Sequence, residues 1–118
     1  MYKMLEKNPP NTFEMTQIVR DHLPTAELLA QLAEEAAELA QAALKLRRVY
    51  EGTNPTPVTQ KDALAALREE YADVRLCLKV LDILGTPGPV YDLMDRKLAR
   101  WCSWLLEADA GGEAHGED

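Results

Sequence analysis

Apolar residues recur along most of the chain at spacings of three, four and seven. Leu28, Leu32, Leu39, Ala43 and Leu46 fall on one face of a helical segment, and Leu64, Leu67, Tyr71, Val74, Leu78 and Leu81 on one face of a second. No segment alternates apolar and polar residues over a useful length, so no strand is predicted. Prolines and glycines separate these runs rather than interrupt them, at Pro9-Pro10, Pro24, Gly52 to Pro57, Gly85 to Pro89 and Gly111-Gly112. The pattern predicts four helices. A short one opens with Thr12 as its cap and ends near residue 23. A long one, capped by Thr25, covers Ala26 to about Glu51. A third opens on a Thr59–Asp62 capping box and runs to Leu84 with Gly85 as its stop, and a fourth spans about Val90 to Ala108. Asp109 to Asp118, acidic and Gly-rich, reads as a disordered tail, which leaves residues 1–108 as one domain.

The fold class is therefore all-α. The two stripes resemble coiled-coil seams, suited to a helical bundle with two long antiparallel helices crossing at about +20°. A hairpin of two helices buries too little apolar surface, so dimerisation is expected to complete the bundle.

Composition narrows the partners. With 118 residues, 13 Lys plus Arg against 20 Asp plus Glu and a formal net charge of −7, the chain repels a phosphate backbone, which argues against general nucleic-acid binding. No apolar run approaches a bilayer span, and Met1 to Lys7 lacks a secretory apolar stretch, so a cytoplasmic protein with no membrane partner is expected. Cys77 and Cys102 form no CxxC pair and fit reduced thiols; His22 and His115 are too few for a His-based zinc site.

Some carboxylates stand where apolar residues belong. Stepping about 100° per residue from Leu39, Glu35 lies about 40° away, inside the stripe, with Glu38 about 100° away at its edge and Glu34 further round. From Val74, Glu70 and Asp73 lie at about the same two angles. The segments Leu32 to Leu39 and Leu67 to Val74 even align position for position as a weak internal repeat. Packing these helices together gathers Glu35, Glu38, Glu70 and Asp73, an arrangement that is destabilising unless the carboxylates protonate, pair with Lys or Arg, or hold a divalent cation. No basic residue shares that face, which favours the cation. An all-oxygen set suits Mg²⁺ or Mn²⁺. Di-iron bundles want Glu-x-x-His motifs, which the long helices lack. Against the metal reading stands ordinary helix composition, in which Glu34, Glu69 and also Glu38 are simply solvated.

Glu34-Glu35-x-x-Glu38 followed by Glu70-x-x-Asp73 resembles the EExxE…ExxD signature of the MazG-like all-α nucleoside triphosphate pyrophosphohydrolases, over about residues 25 to 100. The resemblance implies a homodimer or dimer of dimers that uses Mg²⁺ to hydrolyse a nucleoside triphosphate to the monophosphate and pyrophosphate. It implies Glu35, Glu38, Glu70 and Asp73 as metal ligands and Glu34 as an auxiliary carboxylate that holds a second ion or orients water. The connection between Glu38 and Glu70 is longer than in compact members.

Lys45 lies on roughly the same stripe, about 10 Å beyond Glu38, and divides evenly between phosphate binding and surface. Arg47 and Arg48 read as surface cations favouring the helix C-terminus. Lys97-x-x-Arg100 resembles the basic element that follows the second acidic motif in this superfamily, which implies a phosphate contact; pairing of Arg100 with Asp95 or Glu107 is the plainer alternative. Trp101 and Trp104 read as core or dimer interface, Tyr71 as core and Cys77 as a small buried hydrophobe. A non-catalytic helical dimerisation or partner-binding module is the competing class, and a phosphoribosyl-ATP or dUTP type is the alternative within the superfamily.

Overall fold

Good helix formers fill the long runs, and what fixes the helix ends is local hydrogen bonding. The computed structural model describes residues 8–52 and 56–116. These form α1 (Thr12–His22), α2 (Thr25–Glu51), α3 (Gln60–Leu81) and α4 (Gly88–Gly116), with no strand among the described residues. The described residues are thus all-α, as the periodicity predicts. The stretch Met1 to Lys7, Thr53 to Pro55 of the Gly52 to Pro57 loop, and Glu117-Asp118 of the tail lie outside the described residues.

Asn11, not Thr12, caps α1: its side-chain oxygen accepts from the Glu14 backbone N–H at 2.8 Å, while the Thr12 carbonyl accepts the Thr16 hydroxyl. Pro24, not Thr25, precedes α2. Its carbonyl takes the Glu27 and Leu28 N–H groups at 3.0 and 3.1 Å, and no side chain caps that end. Thr59 caps α3 by accepting from the Asp62 N–H at 3.1 Å, as the sequence predicts. That helix ends at Leu81 rather than Leu84, because Asp82 adopts the left-handed conformation (φ 46°) and its N–H closes on the Leu78 carbonyl. A short polar side chain tolerates this geometry, so the stop comes before Gly85. Pro89 sits in the first turn of α4, where its missing N–H costs nothing, and the helix continues past Ala108 and through Gly111-Gly112 to Gly116.

The chain divides after Ile83 into two units. In the first, α2 and α3 share the main interface, and α1 also touches α3. Leu28 packs with Val80, Leu81 and Leu32, and at the other end of the pair Gln60 donates to the Tyr50 hydroxyl at 3.0 Å. Buried and half-buried positions trace two seams with alternating steps of four and three: Leu28, Leu32, Glu35, Leu39, Ala42 and Leu46 on α2, and Ala63, Leu67, Glu70, Val74, Cys77 and Leu81 on α3. Three expected core residues are corrected. Ala43 is exposed, Leu64 is 39% exposed because the neighbouring Ala63 takes the seam, and Tyr71 is 50% exposed, with its hydroxyl accepting from Arg75 at 2.9 Å.

Arg20 ties α1 to the end of α3. Its guanidinium donates to the carbonyls of Val80 and Lys79 at 2.7 and 3.1 Å and stands 3.8 Å from the Asp82 carboxylate. These carbonyls belong to the last turn of α3, where intrahelical partners run out.

The second unit contains α4. Within it Trp101 and Trp104 are both exposed, and Arg100 stacks over the Trp104 ring at 5.3 Å instead of pairing with Asp95 or Glu107. Among the described residues no helix is long and apolar enough to cross a membrane.

Candidate metal centre

Glu35 and Glu70 occupy seam positions at the middle of α2 and α3, where the 4-3 spacing calls for an apolar side chain. Asp73 stands one turn beyond Glu70 on the same flank. All three are half-buried, and one carboxylate oxygen from each lies within 4.8 Å of the others. Gln31, one turn before Glu35, donates its amide to Glu35 Oε1 at 2.8 Å and fixes that carboxylate.

The electrostatics are those of an uncompensated cluster. Glu70 is held above its ordinary value by desolvation first, then by the negative charges of Asp73, Glu38, Glu35 and Glu69. Each of these contributions raises it. Cys77, buried on the next turn of the α3 seam, is also pushed up, by burial and then by Glu35 and Asp73.

The donors fit a hard divalent cation. Three carboxylates with no nitrogen or sulfur among the gathered ligands match Mg²⁺ or Mn²⁺ and not zinc. Adjacent oxygens around Mg²⁺ lie about 3 Å apart and opposite ones about 4.2 Å, so the three carboxylates, within 4.8 Å of one another, would draw closer by side-chain rotation to share one ion.

Two clefts flank the triad. Glu35 and Asp73 line one of about 530 Å³, whose walls include Met15, Val19, Leu28 and Val80. Glu70 lines the other, of about 400 Å³, together with Glu38, Gln41, Lys45 and Arg48.

Of the residues singled out from the sequence, Glu35, Glu70 and Asp73 come together. Glu38 is exposed and stands outside the triad on the wall of the second cleft, and Glu34 is exposed. Lys45 is half-buried in that same cleft. Arg47 is exposed and paired with Glu51 at 3.1 Å, whereas Arg48, expected at the surface, is half-buried. Lys97 and Arg100 lie on α4, exposed within their own unit. No family model, curated protein or solved structure matches the chain. Gln31 is the contributor that sequence reasoning misses, although its i, i+4 spacing to Glu35 carries the signal; Arg48, read as a surface cation, stands i, i+3 from Lys45.

Proposed function

We propose that the protein is a Mg²⁺-dependent hydrolase that converts a nucleoside triphosphate to the monophosphate and pyrophosphate, with Mn²⁺ as an alternative ion. The observation that carries this reading is the meeting of Glu35, Glu70 and Asp73 within 4.8 Å, on two helices whose motifs resemble those of the MazG-like pyrophosphohydrolases. Glu35, Glu70 and Asp73 hold the cation, and Gln31 orients Glu35. The bound cation supplies positive charge to phosphate oxygens and makes a nearby water a better nucleophile. Glu38, outside the triad and on the cleft that Glu70 lines, is our candidate to accept the proton of the attacking water.

The architecture belongs to the same proposal. The contacts of Leu28 with the end of α3, and of Tyr50 with its start, support an antiparallel pair. Exposed Leu29, Leu44 and Leu64, with Trp101 and Trp104 on α4, support a second copy of the chain completing the bundle in a cytoplasmic homodimer or dimer of dimers.

The test is pyrophosphate release from a panel of canonical and modified nucleoside triphosphates with Mg²⁺, beside Glu35→Gln, Glu70→Gln, Asp73→Asn and an EDTA control. Release by the wild type that falls to the EDTA level in all three variants supports the reading. No release with any nucleotide overturns it in favour of a non-catalytic helical module.

A further inference from the structure

Lys45 and Arg48 stand three residues apart near the end of α2, half-buried in the cleft that Glu70 lines. Long cations are seldom covered without a partner, yet neither side chain makes a hydrogen bond or ion pair among the described residues. Arg47, between them in sequence, is bound to Glu51 and exposed. The two cleft cations are thus set apart from ordinary surface charge at a helix end.

The triad itself has two unlike sides. Towards Glu35 and Asp73 the wall is mainly apolar, with Met15, Val19, Leu28 and Val80, and also carries Thr12, Thr16, Gln31 and the exposed Lys79. Towards Glu70 it is mixed, and it carries the two cations, unpartnered among the described residues, on the same wall as the carboxylates of Glu38 and Glu70. A ligand that spans the triad therefore meets a mainly apolar surface at one end and a pair of half-buried cations at the other. In a chain of net charge −7, a polyphosphate tail has few places to rest, and a cation at the triad offsets only the charge nearest to it.

We infer that the Lys45–Arg48 cleft binds the β- and γ-phosphates and then the pyrophosphate product, with the nucleoside end directed towards the mainly apolar cleft. This rests on reading the triad as the divalent-cation site of a triphosphate hydrolase. Arg48 supplies a planar fork that pairs with two phosphate oxygens, and Lys45 a compact ammonium. Water oxygen bonds to the α-phosphorus, and the bond from that phosphorus to the α–β bridging oxygen breaks. The bridging oxygen leaves with the bonding electron pair as part of pyrophosphate, beside the two cations, and the water proton passes to a carboxylate. Charge thus accumulates where the cations stand.

The experiment is calorimetric titration of the full chain with pyrophosphate in excess Mg²⁺, repeated with a nucleoside monophosphate. Lys45→Gln and Arg48→Gln are each expected to weaken pyrophosphate binding at least about tenfold. Arg48→Lys is expected to lose less, and Arg47→Gln to stay within about twofold of wild type. Monophosphate binding should be unchanged in all four. Absence of pyrophosphate binding by the wild type overturns the inference, as does an Arg47→Gln loss equal to that of Arg48→Gln, which would mark diffuse charge. Lowered thermal stability of Arg48→Gln with intact pyrophosphate affinity would leave a helix-end role alone and also overturns it. Failure of the hydrolase reading is distinguishable: Arg48-dependent binding of Mg²⁺-pyrophosphate without release from any triphosphate keeps the cleft and removes the reaction.

Discussion

Arg20 is the residue through which α1 is fastened to the α2–α3 pair, and Arg20→Met removes the fastening while keeping much of the aliphatic stem. Two charge-assisted hydrogen bonds are lost, at 2.7 and 3.1 Å, both to carbonyls in the last turn of α3. Bonds of this type contribute about 1.5–3 kcal/mol each. The guanidinium side chain is 32% exposed, which places the pair at the lower end, about 2–3 kcal/mol together. The contact with Asp82, 3.8 Å long to a carboxylate that is 72% exposed, adds no more than a few tenths. At about 4 °C per kcal/mol for a chain of this length, the melting temperature falls by about 10 °C. Urea unfolding of Arg20→Met beside Asp82→Asn separates the contributions. Asparagine keeps the left-handed turn and removes only the charge, so it should cost under about 0.5 kcal/mol. Hydrogen exchange should quicken first in α1. An Arg20→Met variant within about 0.5 kcal/mol of wild type, or an Asp82→Asn variant as destabilised as Arg20→Met, refutes the assignment.

The cluster makes predictions of its own. Because the fold raises the Glu70 pKa above its ordinary 4.5, the folded chain binds that proton more tightly than the unfolded one, so this contribution to stability is lost as pH rises through the raised value. In EDTA, Glu70→Gln should therefore be more stable than wild type at neutral pH, with the gap closing as pH falls towards 4.5; a gap constant in urea midpoints across that window would exclude the repulsion. The two thiols should differ in reactivity, since Cys102 is exposed while Cys77 is buried and held above its ordinary value. A chromogenic disulfide reagent should modify Cys77 at least about tenfold more slowly than Cys102, as read from Cys77→Ser and Cys102→Ser variants, and equal rates would contradict the placement.

The helical class and the inward angle of Glu35 and Glu70 were legible because both follow from one helix at a time. A residue about 40° from the centre of a stripe faces the neighbouring helix whatever that neighbour is. Which apolar residues share the seam was less legible. Leucine and tyrosine outrank alanine in hydrophobicity, yet Ala63 is buried while Leu64 and Tyr71 are not, because close helices interlock best over small side chains. The contrast between Asp73 and Glu38 lay further out of reach. Each stands three residues after a seam carboxylate, but Asp73 shares a cleft with α1 side chains such as Met15 and Val19, whereas Glu38 lies on the other cleft with Lys45 and Arg48. No single-helix pattern tells which flank α1 covers. Helix ends were misplaced for a similar reason: Asn11, Pro24 and Asp82 supply the geometry that Thr12, Thr25 and Gly85 were expected to supply.

The most direct test of the metal centre is titration of the metal-free full chain with Mn²⁺ at neutral pH, following the free ion by electron paramagnetic resonance. Wild type should bind Mn²⁺ in competition with Mg²⁺, and Glu35→Gln, Glu70→Gln and Asp73→Asn should each weaken that binding at least about tenfold, with Glu34→Gln unchanged. Binding of equal strength in wild type and in the variant lacking all three carboxylates would contradict the account.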